Sequence, residues 1–208
     1  MSVIQLHAQE KDLALWGEVA LKKDLTKKIS LGLSEEMRFN NNISNLKAIN
    51  TEIQLSVKLS KIFKADMAYR YGLNQHENGF FAKHRFGISL EAEKEFGSFD
   101  LALRSRILLY KDTYSNEQTD LYPNYENRNR LKIGYNIRKF KTDPFFSIES
   151  FHAISNVSVL DIEGLRLSYG FVTKMKYKTK LNTAFICNYN LLEKGTEYVI
   201  NIAFSKEF

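Results

Sequence analysis

The stretch TEIQLSVKLS, Thr51–Ser60, alternates without interruption: Ile53, Leu55, Val57 and Leu59 fall on one face, Glu52, Gln54, Ser56 and Lys58 on the other. Successive side chains of a strand point to opposite faces, so this segment has one apolar and one polar side. Which side meets the surroundings decides the fold. In a soluble sheet the polar side meets water. In a transmembrane barrel the polar side lines the lumen and the apolar side meets lipid.

The same period of two runs through most of the 208 residues. It is clear near 29–39, 63–73, 83–93, 99–109, 130–137, 165–171 and 198–208, and weaker near 12–22, 143–153 and 181–191, which makes eleven strand candidates. Ser34–Asn50 reads as a strand end followed by a loop. No segment carries a helical period. No apolar run approaches the roughly 20 residues a membrane helix needs; AFIC is typical of what there is. A chain like this crosses a membrane, if it does, with strands.

Composition narrows the classes further. Lys and Arg number 30 against 24 Asp and Glu. The basic residues do not gather on a helix face, so no nucleic-acid partner is expected. Cys187 is the one cysteine, which excludes an intrachain disulfide and a cysteine-based metal site. No Gly-rich phosphate loop or metal cluster stands out, and no cofactor is expected. MSVIQLHAQEKD has the look of a signal-peptide end with Ala8 before the cut. Residues 1–9 are then a signal remnant or a tail, and 10–208 a single barrel domain.

Three features favour lipid outside. The strand segments run to about 10–13 residues, long enough to cross a bilayer when tilted. Aromatics such as Phe39, Phe63, Tyr71, Phe99, Tyr135, Phe146, Tyr177 and Phe208 fall near strand ends, where interfacial girdles belong. The polar face mixes both charges with Gly, Ser and Ala, as a packed lumen would. Connections alternate in length, short near 23–27, 61–62, 95–97, 139–142 and 176–180, longer near 40–47, 74–81, 111–127, 154–161 and 192–196. The short set is rich in lysine and the long set leans acidic, so a basic rim would meet the anionic phospholipid of the inner leaflet. The fold expected is an all-β, antiparallel up-and-down transmembrane barrel of about ten to twelve strands. Eleven is odd, whereas single-chain bacterial barrels are normally even.

The C-terminal strand YVINIAFSKEF places Tyr198, Ile200, Ile202, Phe204 and Phe208 on one face. That pattern resembles the signal read by the outer-membrane assembly machinery, so that machinery and outer-membrane lipid are the expected partners. With LWGEVALKKDLTKKISLGLSEEMRFN, DMAYRYGL, ENRNRLKIGYNIRKFKTDPFFSIESF and EYVINIAFSKEF, the chain resembles an uncharacterised bacterial family, domain of unknown function 2490. The resemblance implies a small barrel in the outer membrane of a Gram-negative bacterium and implies nothing about activity.

Two sets of residues carry candidate chemistry. The polar face should fill the lumen with Glu36, Arg38, Glu52, Lys58, Arg70, Arg85, Glu91, Arg104, Arg106, Arg130, Lys132, Glu149 and Arg166. Rings of Arg and Lys favour anions in an open pore, but opposed charges packed together plug it, and the plugged lumen is the expectation. The alternative is a lipid-modifying hydrolase: His84, Ser105 and Asn129 fall on the apolar face of three consecutive strands, where a serine would need the histidine as base and the asparagine to orient its ring. HAISN, His152–Asn156, is a weaker candidate because His152 and Ser155 fall on opposite faces. A non-enzymatic barrel is favoured. A soluble ligand-binding barrel is the third reading.

Overall fold

The computed structural model describes residues 12–113, 124–154, 162–192 and 194–208. The proposed signal remnant, Ser155, Asn156 and much of the acidic loop sequence lie outside these residues. The eleven strands are β1 (Asp12–Asp24), β2 (Ile29–Asn40), β3 (Asn45–Lys58), β4 (Phe63–His76), β5 (Gly79–Phe96), β6 (Phe99–Asp112), β7 (Asn124–Tyr135), β8 (Thr142–Ile154), β9 (Ile162–Lys174), β10 (Thr179–Asn190) and β11 (Gly195–Glu207). Each pairs with its chain neighbours and β1 pairs with β11, so the sheet closes into a barrel.

The odd count is resolved at that closure. Ten ladders are antiparallel, whereas β1 and β11 run parallel, from Leu13 beside Tyr198 to Lys22 beside Glu207. A meander with an odd number of strands leaves its first and last strands pointing the same way, so they can only meet in parallel. The expected wholly antiparallel barrel is corrected at this one seam. As a result Asp12 and Phe208 lie at opposite mouths.

The orientation of the walls is inside out relative to a soluble barrel. Leu55 is 38% exposed, Phe86 54% and Ile88 62%, while Glu36, Asp66 and Glu149 are 6%, 4% and 5% exposed. In the opening stretch Leu55 points outward and Gln54 inward, where its amide donates to Asp66 at 3.2 Å and Ser56 at 3.0 Å. An apolar outside around a polar inside is the arrangement of a membrane-spanning barrel.

Two sequence expectations need correction. Ser34–Asn50 is mostly strand: β2 runs to Asn40 and β3 resumes at Asn45. A register shift at Arg38/Phe39 changes the phase, and the inward Ala48 and Asn50 hide the alternation. The length asymmetry of the connections is also narrower than expected. Only four residues separate β2 from β3, two separate β4 from β5, and four separate β10 from β11. The polar run Asn74–Asn78 resembles a loop in composition, yet Asn74, Gln75 and His76 pair with Phe81, Phe80 and Gly79. Gly79, at φ 120°, closes that hairpin in a backbone region other residues rarely adopt. The long connections are the two joining β6 to β7 and β8 to β9.

The other mouth is built from repeated tight turns. In Leu25–Ile29 the Thr26 hydroxyl accepts from the backbone N–H of Ile29 at 3.0 Å, and in Leu59–Phe63 the Ser60 hydroxyl does the same for Phe63 at 3.0 Å. A side-chain acceptor that satisfies turn donors is why Ser and Thr recur there. Lysines surround these turns: Lys27, Lys28, Lys61, Lys94, Lys139 and Lys176 are all exposed at this end. We call it the lysine mouth. Phe99 and Tyr135 pack on the wall just above it, ring centroids 5.1 Å apart.

Candidate functional site: the charged lumen

Inward parity brings acids and bases from neighbouring strands into one interior. A lumen of about eight strands is just filled by side chains; here eleven strands are matched by long, paired Arg and Glu residues. On one side Glu36 accepts from Arg38 Nε at 2.8 Å, Arg70 Nη1 at 2.9 Å and Asn50 at 3.1 Å. Glu52 accepts from Arg70 Nε at 2.8 Å and Arg85 Nη2 at 2.7 Å. Across the lumen Glu149 accepts from Arg104 at 2.6 Å and Arg166 at 3.5 Å. Glu91 joins Lys64 at 3.0 Å and Arg130 at 3.2 Å. Each of these four carboxylates thus serves two cations, the pairing a low-dielectric interior requires of a charge.

Aromatic rings complete the filling. The Arg38 guanidinium lies 4.1 Å from the Trp16 ring centroid and that of Arg166 lies 5.1 Å from it. Trp16 itself sits in a small apolar cluster with Ala14, Ile186 and Val199, which packs the inside of the parallel seam. Lys132 lies over Phe145 at 4.4 Å.

Most expected lumen residues meet in this network. Three differ. Lys58 is exposed at the lysine mouth, because it is the last residue of β3. Arg106 and Lys132 point inward but form no ion pair with a described residue; Lys132 lies over Phe145 instead. Sequence reasoning missed Trp16, Glu126 and Arg128. Arg128 pairs with Glu126, donates to the Tyr110 hydroxyl at 2.5 Å and stacks on Phe151. The inward phase of Arg130 and Lys132, carried two and four residues back, would have found both Arg128 and Glu126.

The outer-wall candidates do not assemble. His84 Nδ1 lies 2.8 Å from the Tyr69 hydroxyl, and its ring stacks edge-on with Tyr71. Ser105 is level with Leu90 and Asn129. Leu90 is six residues along β5 from His84, about 20 Å at strand rise. Ser105 instead accepts from Asn127 at 3.3 Å, and Asn129 donates to Asn127 at 2.6 Å. The histidine that does meet a serine on this wall is His152, whose Nε2 is 2.9 Å from Ser150. Among the described residues its buried Nδ1 has no hydrogen-bond partner, so no described residue orients that ring as a base. On β11, Tyr198, Ile200, Ile202, Phe204 and Phe208 share the outward phase, with Ile200, Ile202, Phe204 and Phe208 exposed.

A closed, inside-out β-barrel with an ion-paired lumen defines a small all-β barrel protein of the membrane-spanning type. A family model described as a protein of unknown function, DUF2490, matches residues 13–198, and the chain belongs to that family. Among solved structures it is similar to a bacterial polysaccharide outer membrane secretin, at TM-score 0.56 and 7% identity, over 85% of this chain and 63% of that one. It is also similar to the NanC porin, at TM-score 0.54 and 10% identity, over 89% of this chain and 90% of that one. A comparison with curated proteins gives no match.

Proposed function

We propose that this protein is a non-enzymatic outer-membrane barrel of a Gram-negative bacterium, structural or at most narrowly conducting, with a lumen closed by ion pairs. The observation that carries the reading is the inversion of the wall, apolar outside and ion-paired within. Outer-membrane location is supported by the likeness in fold to a bacterial polysaccharide outer membrane secretin. The lysine mouth suits the anionic inner leaflet, as juxtamembrane basic residues do. The outward face of β11 is the surface the assembly machinery would read during insertion. The test is a detergent extract of outer membranes run with and without heating. The folded barrel should migrate differently from the heated chain. Recovery in the soluble periplasmic fraction would refute the membrane reading.

Reconstitution tests the closed lumen and the absence of a reaction together. In planar bilayers the protein should give little steady conductance, because the paired side chains of both signs occupy the lumen; large, stable, anion-selective steps would overturn this. The same protein in phospholipid vesicles should release no fatty acid. Release that disappears in Ser105→Ala would establish the hydrolase instead.

A further inference from the structure

The lumen is not uniformly filled. At the mouth opposite the lysine ring lies a cavity of about 360 Å³, at the small end of the range of about 300–1,000 Å³ typical of small-molecule sites. Five cations line it, Arg38, Arg70, Lys83, Arg85 and Arg128, against one acid, Glu126. The neighbouring carboxylates are Glu36, Glu52, Asp112 and Glu18. Glu36 and Glu52 are shared among three guanidinium groups, those of Arg38, Arg70 and Arg85. Glu126 takes up Arg128, and Asp112 lies 3.5 Å from Lys83. Glu18, level with Glu36, also faces Arg38 and Arg70 electrostatically, although it lines the lumen with Lys22 and Ser30. Arg106, beside Arg128 in register, adds a cation without an ion pair to a described residue. Among the described residues the region therefore sets six cations against five carboxylates, a surplus of positive charge inside a wall of low dielectric, where an anion gains most.

We propose that this vestibule binds a small hydroxylated oxyanion, a sugar-sized molecule bearing a carboxylate or a phosphate ester. Guanidinium forks match the planar oxygens of a carboxylate and the oxygens of a phosphate. Arg85 spends one Nη on Glu52, and Arg38 spends only Nε on Glu36, among described partners. Both keep donors for a ligand. Asn74 and Asn124, also in the lining, each carry a donor and an acceptor, which suits hydroxyl groups. Below the vestibule the ion-pair network closes the lumen, so the anion is held rather than passed. The site needs only the folded barrel, so its test is independent of where the barrel resides.

The experiment uses the full chain, folded in detergent, in equilibrium dialysis against D-glucuronate, glucose 6-phosphate and glucose. Saturable binding of one or both anions in the millimolar range or tighter, with glucose unbound, is the expected result; which anion binds identifies carboxylate or phosphate as the recognised group. Arg85→Gln leaves Glu52 paired with Arg70, and Lys83→Gln removes the contact to Asp112 and the cation over the Tyr110 ring. Each should weaken anion binding about tenfold or more, while Lys94→Gln at the lysine mouth should not change it. Heat-dependent mobility checks that each variant is folded. If Arg85→Gln does not fold, Lys83→Gln decides. Trp16 is the one tryptophan, and Arg38 lies over its ring, so its fluorescence should change with the same saturation curve. No saturable anion binding, equal binding of glucose, or anion binding unaltered in the folded variants would each overturn the proposal.

Discussion

Glu149→Ala is expected to destabilise the barrel by about 3–5 kcal/mol, the cost of leaving buried charges without their counter-ion. Glu149 is 5% exposed and is the carboxylate partner of both Arg104 and Arg166. Arg104 has no other ion pair among the described residues. Arg166 still donates to the Asn188 side-chain amide oxygen at 2.6 Å and keeps the faces of Trp16 and Phe151. Urea unfolding from lipid vesicles, followed by Trp16 fluorescence, measures the loss. Pairing the change with Arg104→Met removes one stranded cation and should recover part of it. A loss below about 1 kcal/mol, the size of a solvated ion pair, would mean that water fills the lumen and that the ion pairs do not close it.

Leu55→Arg is expected to cost about 2–4 kcal/mol, as a charge does on the lipid face near the middle of a membrane barrel. Gln54→Arg, one residue away, points into the polar lumen beside Asp66 and should cost less. A soluble barrel would also suffer from Leu55→Arg if Leu55 were in its core, so a labelling pair separates the cases. In a Cys187→Ser background, a cysteine at position 55 should be quenched by a lipid-chain probe and resist water-soluble thiol reagents. A cysteine at position 54 should escape the lipid probe. The reverse pattern would place the apolar face in an interior core and refute the membrane-spanning orientation.

The strands were legible because the alternation is local. Ile53, Leu55 and Val57 against Glu52, Gln54 and Ser56 need no partner to be recognised, and parity alone assigned Arg70, Arg104 and Glu149 to the inside. Strand ends were less legible where the chain is polar. Asn74–His76 carries loop-like residues, but the ladder to Phe80 and Phe81 satisfies its backbone, and pairing outweighs local preference there. That misreading also hid part of the vestibule, since Asn74 falls in a stretch taken for a connection.

The pairing of charges required the closed barrel. Arg70 reaches Glu36 across an intervening strand, and Arg104 reaches Glu149 from β6 to β8. Such contacts depend on the register of several ladders at once, and a one-residue slip in any of them sends the side chain to the other wall. The same holds for His84 and Ser105, which sit on adjacent strands but are held far apart by the β5–β6 register. The sequence by itself determined that there are about ten to twelve strands, their two-faced character and which way most of their charged residues face, because a strand's period is a property of the chain. The parallel seam, the sharing of Glu36, Glu52, Glu91 and Glu149 by two cations each and the surplus of charge at one mouth were decided by tertiary structure, because they arise only when distant strands are brought into register around a closed wall.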